Sequence, residues 1–302
     1  MRLIGFGDLY CEYYFRSDLL KGVMCGNVSA HILANLSSTY ETKFIGIVGN
    51  DDAASLVVSS LNKLNVDTKD IKPINKKNKK LFIHEDLYTE ICPCCNRMMT
   101  YVDNELKSIQ VINNINEDDV LIIDAITEES IEVLTKTPNK AFLCLNHLDD
   151  LRYMSLDEII ELMKERFKII YLNDGVYSYI KSKFTIDSTD LYELLNPDIL
   201  IISRNKRGAD IIFNNEFEKK EIENPVDVVD NSGTSAAYFS EFVKAYLTNE
   251  TIDQRMISLA HMKASLQMSR VASHVGPVPH ILPIIKINKY KNCICEEFTY
   301  NL

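Results

Sequence analysis

No apolar run in this 302-residue chain approaches the roughly 20 residues that a membrane-spanning helix needs, so a helical membrane protein is not expected. Basic residues are fewer than acidic ones, 33 against 43, and they form no stripe. The net charge of −10 therefore argues against a nucleic acid or an anionic membrane surface as partner. The opening "MRLIGFGDLY" lacks the long apolar stretch and small-residue cleavage site of a secretory signal. It reads as a strand entering a loop, and the expected location is the cytoplasm. Linkers, low-complexity tracts and internal repeats are also missing. With 46% hydrophobic residues the chain can build one large core, and a single domain over 1–302 is expected.

What is present is an alternation. "KFIGIV" (43–48), "VLIID" (120–124), "AFLCL" (141–145), "KIIYL" (168–172) and "DILIIS" (198–203) are short, nearly continuous apolar runs, the pattern of strands covered on both faces. Helical patterns lie between them. Val28, Ile32, Leu33 and Leu36 share a face, as do Val57, Val58, Leu61 and Leu64. "SLDEIIELMKERF" (155–167) opens with a capping box, Ser155 and Glu158, and presents Ile159, Ile160, Met163 and Phe167. After Gly233, Phe239, Phe242, Val243, Tyr246 and Leu247 recur at helical spacing. Strands alternating with helices predict an α/β fold with a mostly parallel sheet.

Residues 74–108 break this rhythm and read as a β-hairpin or β-flap around a "CPCC" turn at 92–95. Cys92 and Cys95 have C-x₂-C spacing, and "NCIC" supplies Cys293 and Cys295. Four thiolates from two pairs would close a tetrahedral zinc site, with Cys94 as an alternative ligand. A redox pair and ordinary reduced thiols are the competing readings. Cys11, Cys25 and Cys144 are expected to be small buried hydrophobes.

In "DNSGTSAAYF" (230–239), Gly233, Thr234 and Ser235 lead directly into a helix. Free backbone N–H groups and small residues at a helix start suit an anion such as a phosphate, although the same turn can simply begin a helix. The order of segments along nearly the whole chain resembles the PfkB family of carbohydrate kinases, with its ribokinase-like fold. "GFGDLYCEYYF" resembles the family's first strand and lid entry, and "KGVMCGNVSA" its glycine–asparagine sugar-binding segment. "FIGIVGNDD" is similar to "IGxVGxD", "LNVDTKDI" to the "GVDT" turn, and "IISRNKRGADI" to a "TxGxxG" strand and turn. "DNSGTSAAYF" matches the frame of "DTxGAGDxF", and "SHVGPVPHILP" the closing segment.

That resemblance implies a three-layer αβα sandwich with a small β-lid formed by about 8–20 and 74–108. It implies a sugar site at Asp8, Glu12, Gly22 and Asn27, and an anion hole at Gly233, Thr234 and Ser235. Nucleotide contacts would come from Asn173, Ser203, Gly208 and Asp230, with ATP and Mg²⁺ as cofactors. Lids of this family often clasp between subunits, so a homodimer through the lid is also implied.

The same comparison exposes departures. The position of the family's proton-accepting Asp is Ala236, and a methyl group accepts no proton; general-base help is typically worth about 10²–10⁴-fold in rate. "NDGV" keeps Asn173 but puts Val176 where the family's "NxxE" has Glu, removing an oxygen that orders magnesium-bound water. "CLN" puts Cys144 in the place of an Asp and keeps Asn146, and Asn205 replaces a glycine. Arg204, Lys206 and Arg207 could contact phosphates or be solvated turn charges. Acidic groups for magnesium and for proton transfer are lost together. The expected function is therefore a sugar- or nucleotide-binding protein on a kinase scaffold, a pseudokinase. The alternatives are an active ATP-dependent sugar kinase with an altered site, and a zinc-pinned structural or partner-binding protein.

Overall fold

The computed structural model describes residues 1–16, 19–84, 87–89, 91, 106–147, 154–223 and 225–273. In chain order the strands are β1 (Leu3–Asp8), β2 (Tyr10–Arg16), β3 (Leu19–Gly26), β4 (Thr42–Val48), β5 (Val66–Pro73), β6 (Lys80–His84), β7 (Leu87–Thr89), β8 (Val120–Ile123), β9 (Lys140–Leu145), β10 (Phe167–Leu172), β11 (Ile199–Ser203), β12 (Ala209–Phe213) and β13 (Glu216–Lys220). The helices are α1 (Val28–Leu36), α2 (Asp52–Lys63), α3 (Ser108–Ile112), α4 (Glu128–Lys136), α5 (Leu156–Met163), α6 (Asp174–Phe184), α7 (Ser188–Leu195), α8 (Thr234–Thr248) and α9 (Gln254–Ala272).

Nine strands form the central sheet in the order β13-β12-β11-β10-β9-β8-β1-β4-β5. From β11 to β5 every pairing is parallel, and β12 and β13 add an antiparallel edge. The apolar runs are explained by this burial. Alternate residues of each strand enter opposite cores because strand side chains alternate between faces. Leu3, Phe44, Ile122, Phe142, Ile169 and Ile201 pack against α1, α2, α8 and α9. Ile4, Ile45, Leu121, Leu143, Ile170 and Leu200 pack against helices α3 to α7. The result is the three-layer αβα sandwich with a mostly parallel sheet.

A second sheet of four strands, β3-β2-β6-β7, takes in 19–26 as well as the predicted lid segments. Its β2 strand alternates cleanly. Cys11, Tyr13 and Phe15 enter the main core, whereas Tyr10, Glu12 and Tyr14 line a cavity above the central sheet.

One predicted boundary moves. The helix at 155–167 ends at Met163, and Phe167 begins β10 instead of continuing the helical face. Glu165 takes a left-handed φ of 60° and donates its N–H to the Leu195 carbonyl oxygen, which turns the chain out of the helix. Cys92, Cys94, Cys95, Cys293 and Cys295 lie outside the described residues. Among the described residues no group of three or more His, Cys, Asp or Glu side chains is arranged to hold a metal, and no helix is long and apolar enough to cross a membrane. Cys11, Cys25 and Cys144 are buried free thiols, and burial pushes the Cys11 thiol up to about 12.

Candidate functional site

The carboxyl ends of the parallel strands present a row of polar residues: Asp8 at the end of β1, Asp124 after β8, Asn146 after β9, Asn173 after β10 and Ser203 at the end of β11. Open α/β sheets bind ligands at this edge, where strands end and helices begin. The N-terminus of α8 is set over the same edge. Gly233 precedes its first turn with a φ of 76°, a conformation glycine adopts without a Cβ penalty, and no side chain caps the helix there. The turn into it is built locally. Asp230 accepts the Ser232 N–H at 2.8 Å, and Thr234 donates its hydroxyl to the Asn231 carbonyl at 2.7 Å. Tyr171, at the end of β10, donates to the Ser235 hydroxyl at 3.1 Å and ties the first turn to the sheet.

Two cavities adjoin this helix start. One, of about 320 Å³, is roofed by Tyr10, Glu12 and Tyr14 of β2 and reaches Asn146, Ser232, Gly233, Ser235 and Ala236. The other, of about 460 Å³, lies between Tyr171, Ser203, Lys206, Val228, Thr234, Met268 and Ala272. Asn173, Asn231 and Ser235 line both. Both volumes fall in the range of about 300–1,000 Å³ usual for small-molecule sites. The smaller cavity also holds buried polar atoms that no described group satisfies: the Ser232 hydroxyl, on a residue only 4% exposed, and the Asn146 amide oxygen. Buried polar groups are normally paired, so each such atom points to a missing partner.

Glu12 is the carboxylate of this cavity. Burial pushes its pKa up to about 7; the hydrogen bond from the Tyr14 hydroxyl opposes that rise, and the charge of Asp230 adds to it. His31 of α1 has its Nε2 3.9 Å from Glu12. The same nitrogen lies against the Cys25 carbonyl oxygen, which can only accept, so Nε2 carries the proton. Burial lowers the His31 pKa against the raising effect of that bond, so the ring is neutral near pH 7.

The structure divides the expected sugar-site residues. Glu12 and Asn27 line the 320 Å³ cavity, but Asp8 faces a third cavity of about 410 Å³ with Lys79, Asp124 and Glu129; Tyr10 and Asn27 line both. Asn27 caps α1, accepting from the Ala30 N–H at 3.0 Å and from the Ser29 hydroxyl at 2.6 Å. Gly22 sits within β3 opposite Tyr14, with open space beside it, and lines none of these cavities.

Of the expected nucleotide residues, Asn173 and Ser203 line the 460 Å³ cavity, and Gly208 and Asp230 do not. Gly208 has φ 100°, and a Cβ there would stand 1.9 Å from the Lys220 carbonyl oxygen, so its place in the β12–β13 packing explains the glycine. Asp230 shapes the turn before α8. Arg204 bonds Asp210 at 2.8 Å, whereas Lys206 reaches the cavity.

Among the described residues, those at the helix start do not fit magnesium. Val176 is buried, and Asn173 commits both ends of its amide, Oδ1 to the Val176 N–H at 2.8 Å and Nδ2 to the Asn146 carbonyl at 2.6 Å. No described carboxylate lines the 460 Å³ cavity. Hard cations need oxygen donors, and these residues form no protein-held magnesium site.

Tyr10, Tyr14, His31, Asp124, Asn231 and Ser232 complete these cavities and were not singled out in the sequence. The period-two alternation of "YCEYY" placed Tyr10 and Tyr14 on the Glu12 face, and "VLIID" ended on Asp124; both were readable signals.

By sequence, no family profile and no curated protein matches the chain. By structure the likeness is extensive. Fructokinase with bound ATP from Xylella fastidiosa superposes with a TM-score of 0.73 at 12% identity, covering 91% of this chain and 93% of that one. Aminoimidazole riboside kinase from Salmonella enterica, complexed with aminoimidazole riboside and an ATP analogue, gives 0.71 at 15% identity, covering 94% and 97%. The nucleoside kinase of Methanocaldococcus jannaschii, an archaeal member of the ribokinase family, gives 0.69 at 15% identity, covering 93% and 94%. Layer order, sheet topology and superposition over nine-tenths of the chain agree: this protein has the ribokinase-like fold of the sugar and nucleoside kinases.

Proposed function

We propose that the protein binds a small polyhydroxylated molecule, a sugar or nucleoside, together with ATP, with the N-terminus of α8 between them. The observation that carries this reading is the shared wall: Asn173, Asn231 and Ser235 line both cavities. The smaller cavity offers Glu12, Asn27 and Asn146, whose carboxylate and amide groups pair with neighbouring hydroxyls. The larger opens onto the helix start, where backbone N–H groups favour a phosphate. Structural neighbours holding ATP, or a riboside with an ATP analogue, support the same assignment of the two ligands.

Ala236 lines the smaller cavity and brings no proton acceptor to it. Holding two ligands is what these residues support by themselves, the binding-protein reading; phosphoryl transfer requires an acceptor from elsewhere in the cavity. To this proposal belong two expectations from the sequence pattern, zinc on Cys92, Cys95, Cys293 and Cys295 and a homodimer through the lid, to be checked by metal content and by sedimentation.

The test is thermal unfolding of the full chain with a non-hydrolysable ATP analogue and with a panel of sugars and nucleosides. Stabilisation by the analogue and by at least one panel member is expected, since a ligand that binds only the folded state raises its stability. A melting point that no nucleotide and no panel member moves would overturn the proposal.

A further inference from the structure

The reaction that the fold brings together needs a proton acceptor, and Ala236 is not one. We propose that Glu12 of β2 takes that role: the lid strand, not helix α8, supplies the general base of a phosphotransferase. The inference rests on the two-ligand reading above and extends it from binding to transfer.

Four observations carry it. Glu12 and Ala236 line the same cavity of about 320 Å³, so a molecule in contact with the helix start also faces Glu12. Glu12 is the one carboxylate among the described residues lining that cavity, and no lysine or arginine is among them. The Tyr14 hydroxyl donates to Glu12 Oε2, which fixes the carboxylate and leaves its other oxygen available to a ligand hydroxyl. The unsatisfied Ser232 hydroxyl and Asn146 amide oxygen lie in the same space and mark it as a place where a polar ligand completes the hydrogen bonding.

The groups facing Glu12 fit a base. Tyr10 and Tyr14 come from its own strand, Cys25 from β3, His31 from α1, His147 from after β9 and Asp230 from before α8. Burial raises the pKa of Tyr10 and Cys25 further above neutrality, so both remain protonated, and His31 is neutral with Nε2 a donor. His147 lines the same cavity as Glu12 and also stands near Asp124, so its own replacement is part of the test. With burial lifting its pKa to about 7, Glu12 is divided between acid and carboxylate at neutral pH, where general-base catalysis works best.

A hydroxyl of the bound sugar or nucleoside attacks the γ-phosphorus of ATP. Its O–H bond breaks as the new O–P bond forms, and the proton passes to Glu12. The bond from the γ-phosphorus to the bridging oxygen breaks, and ADP leaves with that electron pair. Glu12 then returns its proton to water. The Gly233–Ser235 turn at the start of α8 borders the transferring phosphoryl group, although the Thr234 N–H is already given to the Asn231 carbonyl oxygen.

The experiment measures ADP release from magnesium ATP, acceptor by acceptor, in the wild type and in Glu12→Gln, Glu12→Asp, His147→Gln and Glu12→Gln/Ala236→Asp. The wild type should turn over at least one acceptor. Glu12→Gln, which keeps the side chain's size but accepts no proton, should lose about 10²–10⁴-fold in kcat. It should still unfold cooperatively and be stabilised by the ATP analogue, so a misfolded variant is recognised. Glu12→Asp should recover part of the loss, and Ala236→Asp in the Gln background should recover activity by returning a carboxylate to the cavity. The wild-type rate should also rise with an acidic limb near neutrality that disappears in Glu12→Gln. Stabilisation by ligands without any ADP release overturns the base while leaving the binding proposal intact. Turnover that survives Glu12→Gln, or that falls only in His147→Gln, also overturns it. Absence of both stabilisation and turnover overturns the two proposals together.

Discussion

Tyr171 donates its phenolic proton to the hydroxyl of Ser235 at 3.1 Å, joining the end of a central strand to the first turn of the helix that separates the two cavities. Burial pushes the Tyr171 pKa up to about 12, so it stays a donor across the physiological range. Tyr171→Phe removes this link while keeping the ring that packs edge-on against Phe239. A loss of about 0.5–1.5 kcal/mol is expected from one neutral hydrogen bond. Nucleotide stabilisation should fall with it, because Ser235 is no longer held. Thermal unfolding with and without the ATP analogue checks both; an unchanged ligand shift would mean that this tie does not position the helix start.

Gly208 separates a structural glycine from a nucleotide-binding one. Its φ of 100° and the Lys220 carbonyl oxygen, 1.9 Å from an added Cβ, leave no room for a side chain. Gly208→Ala should destabilise the fold by about 2–4 kcal/mol. Nucleotide affinity of the protein that remains folded should be unchanged. A selective loss of nucleotide affinity at wild-type stability would restore the role that the sequence resemblance implied.

Glu12 gives stability an unusual pH dependence. Its folded pKa of about 7 lies above the ordinary carboxylate value, so the folded state binds a proton more tightly than the unfolded chain. The Glu12 contribution is fully present below the unfolded pKa and is lost as pH rises through about 7. Every tenfold difference in proton affinity between the two states is worth about 1.4 kcal/mol. Glu12→Gln should therefore gain stability relative to wild type between about pH 5 and about pH 8. Denaturant unfolding at the two pH values measures this, and parallel curves for the two proteins would contradict it.

Asp119 behaves in the opposite sense. Burial alone would raise its pKa, but Arg2, through its guanidinium and backbone N–H, and the Asn116 N–H outweigh that effect and hold the carboxyl below its ordinary value. The guanidinium contact closes at 2.6 Å and anchors the start of β1 beside β8. This contribution is present above the unfolded pKa and is lost as pH falls through the folded one. Asp119→Ala should cost about 2–3 kcal/mol, below the full value for a buried pair because Arg2 is partly exposed. Acid unfolding should begin at higher pH in the variant.

The sandwich was legible because burial on both faces forces near-continuous apolar strands, as in "KFIGIV" and "AFLCL". Helix α1 and the start of α5 were legible from spacing and caps. The end of α5 was not: Phe167 fits the helical face by number, and only the left-handed turn at Glu165, bonded to distant Leu195, ends the helix earlier. At the site, Ser235 and Ala236 were found by position after a glycine turn. Asp8 and Glu12 were read as one group, and strand geometry alone could not show that Tyr10 and Asn27 stand between two cavities. The special state of Glu12 was not legible at all, because it depends on burial in the folded chain and on the charge of Asp230, remote in the sequence.

In the proposed arrangement two ligands meet at the N-terminus of α8, where Ser235 lines both cavities. The most direct measurement is calorimetric titration of the wild type and of Ser235→Leu with the ATP analogue and with the best acceptor from the panel. The single substitution should weaken both ligands, at least tenfold each, while the free protein loses no more than about 0.5–1.5 kcal/mol, as expected for the Tyr171 hydrogen bond. Loss of one ligand with full retention of the other, or of neither, would contradict it.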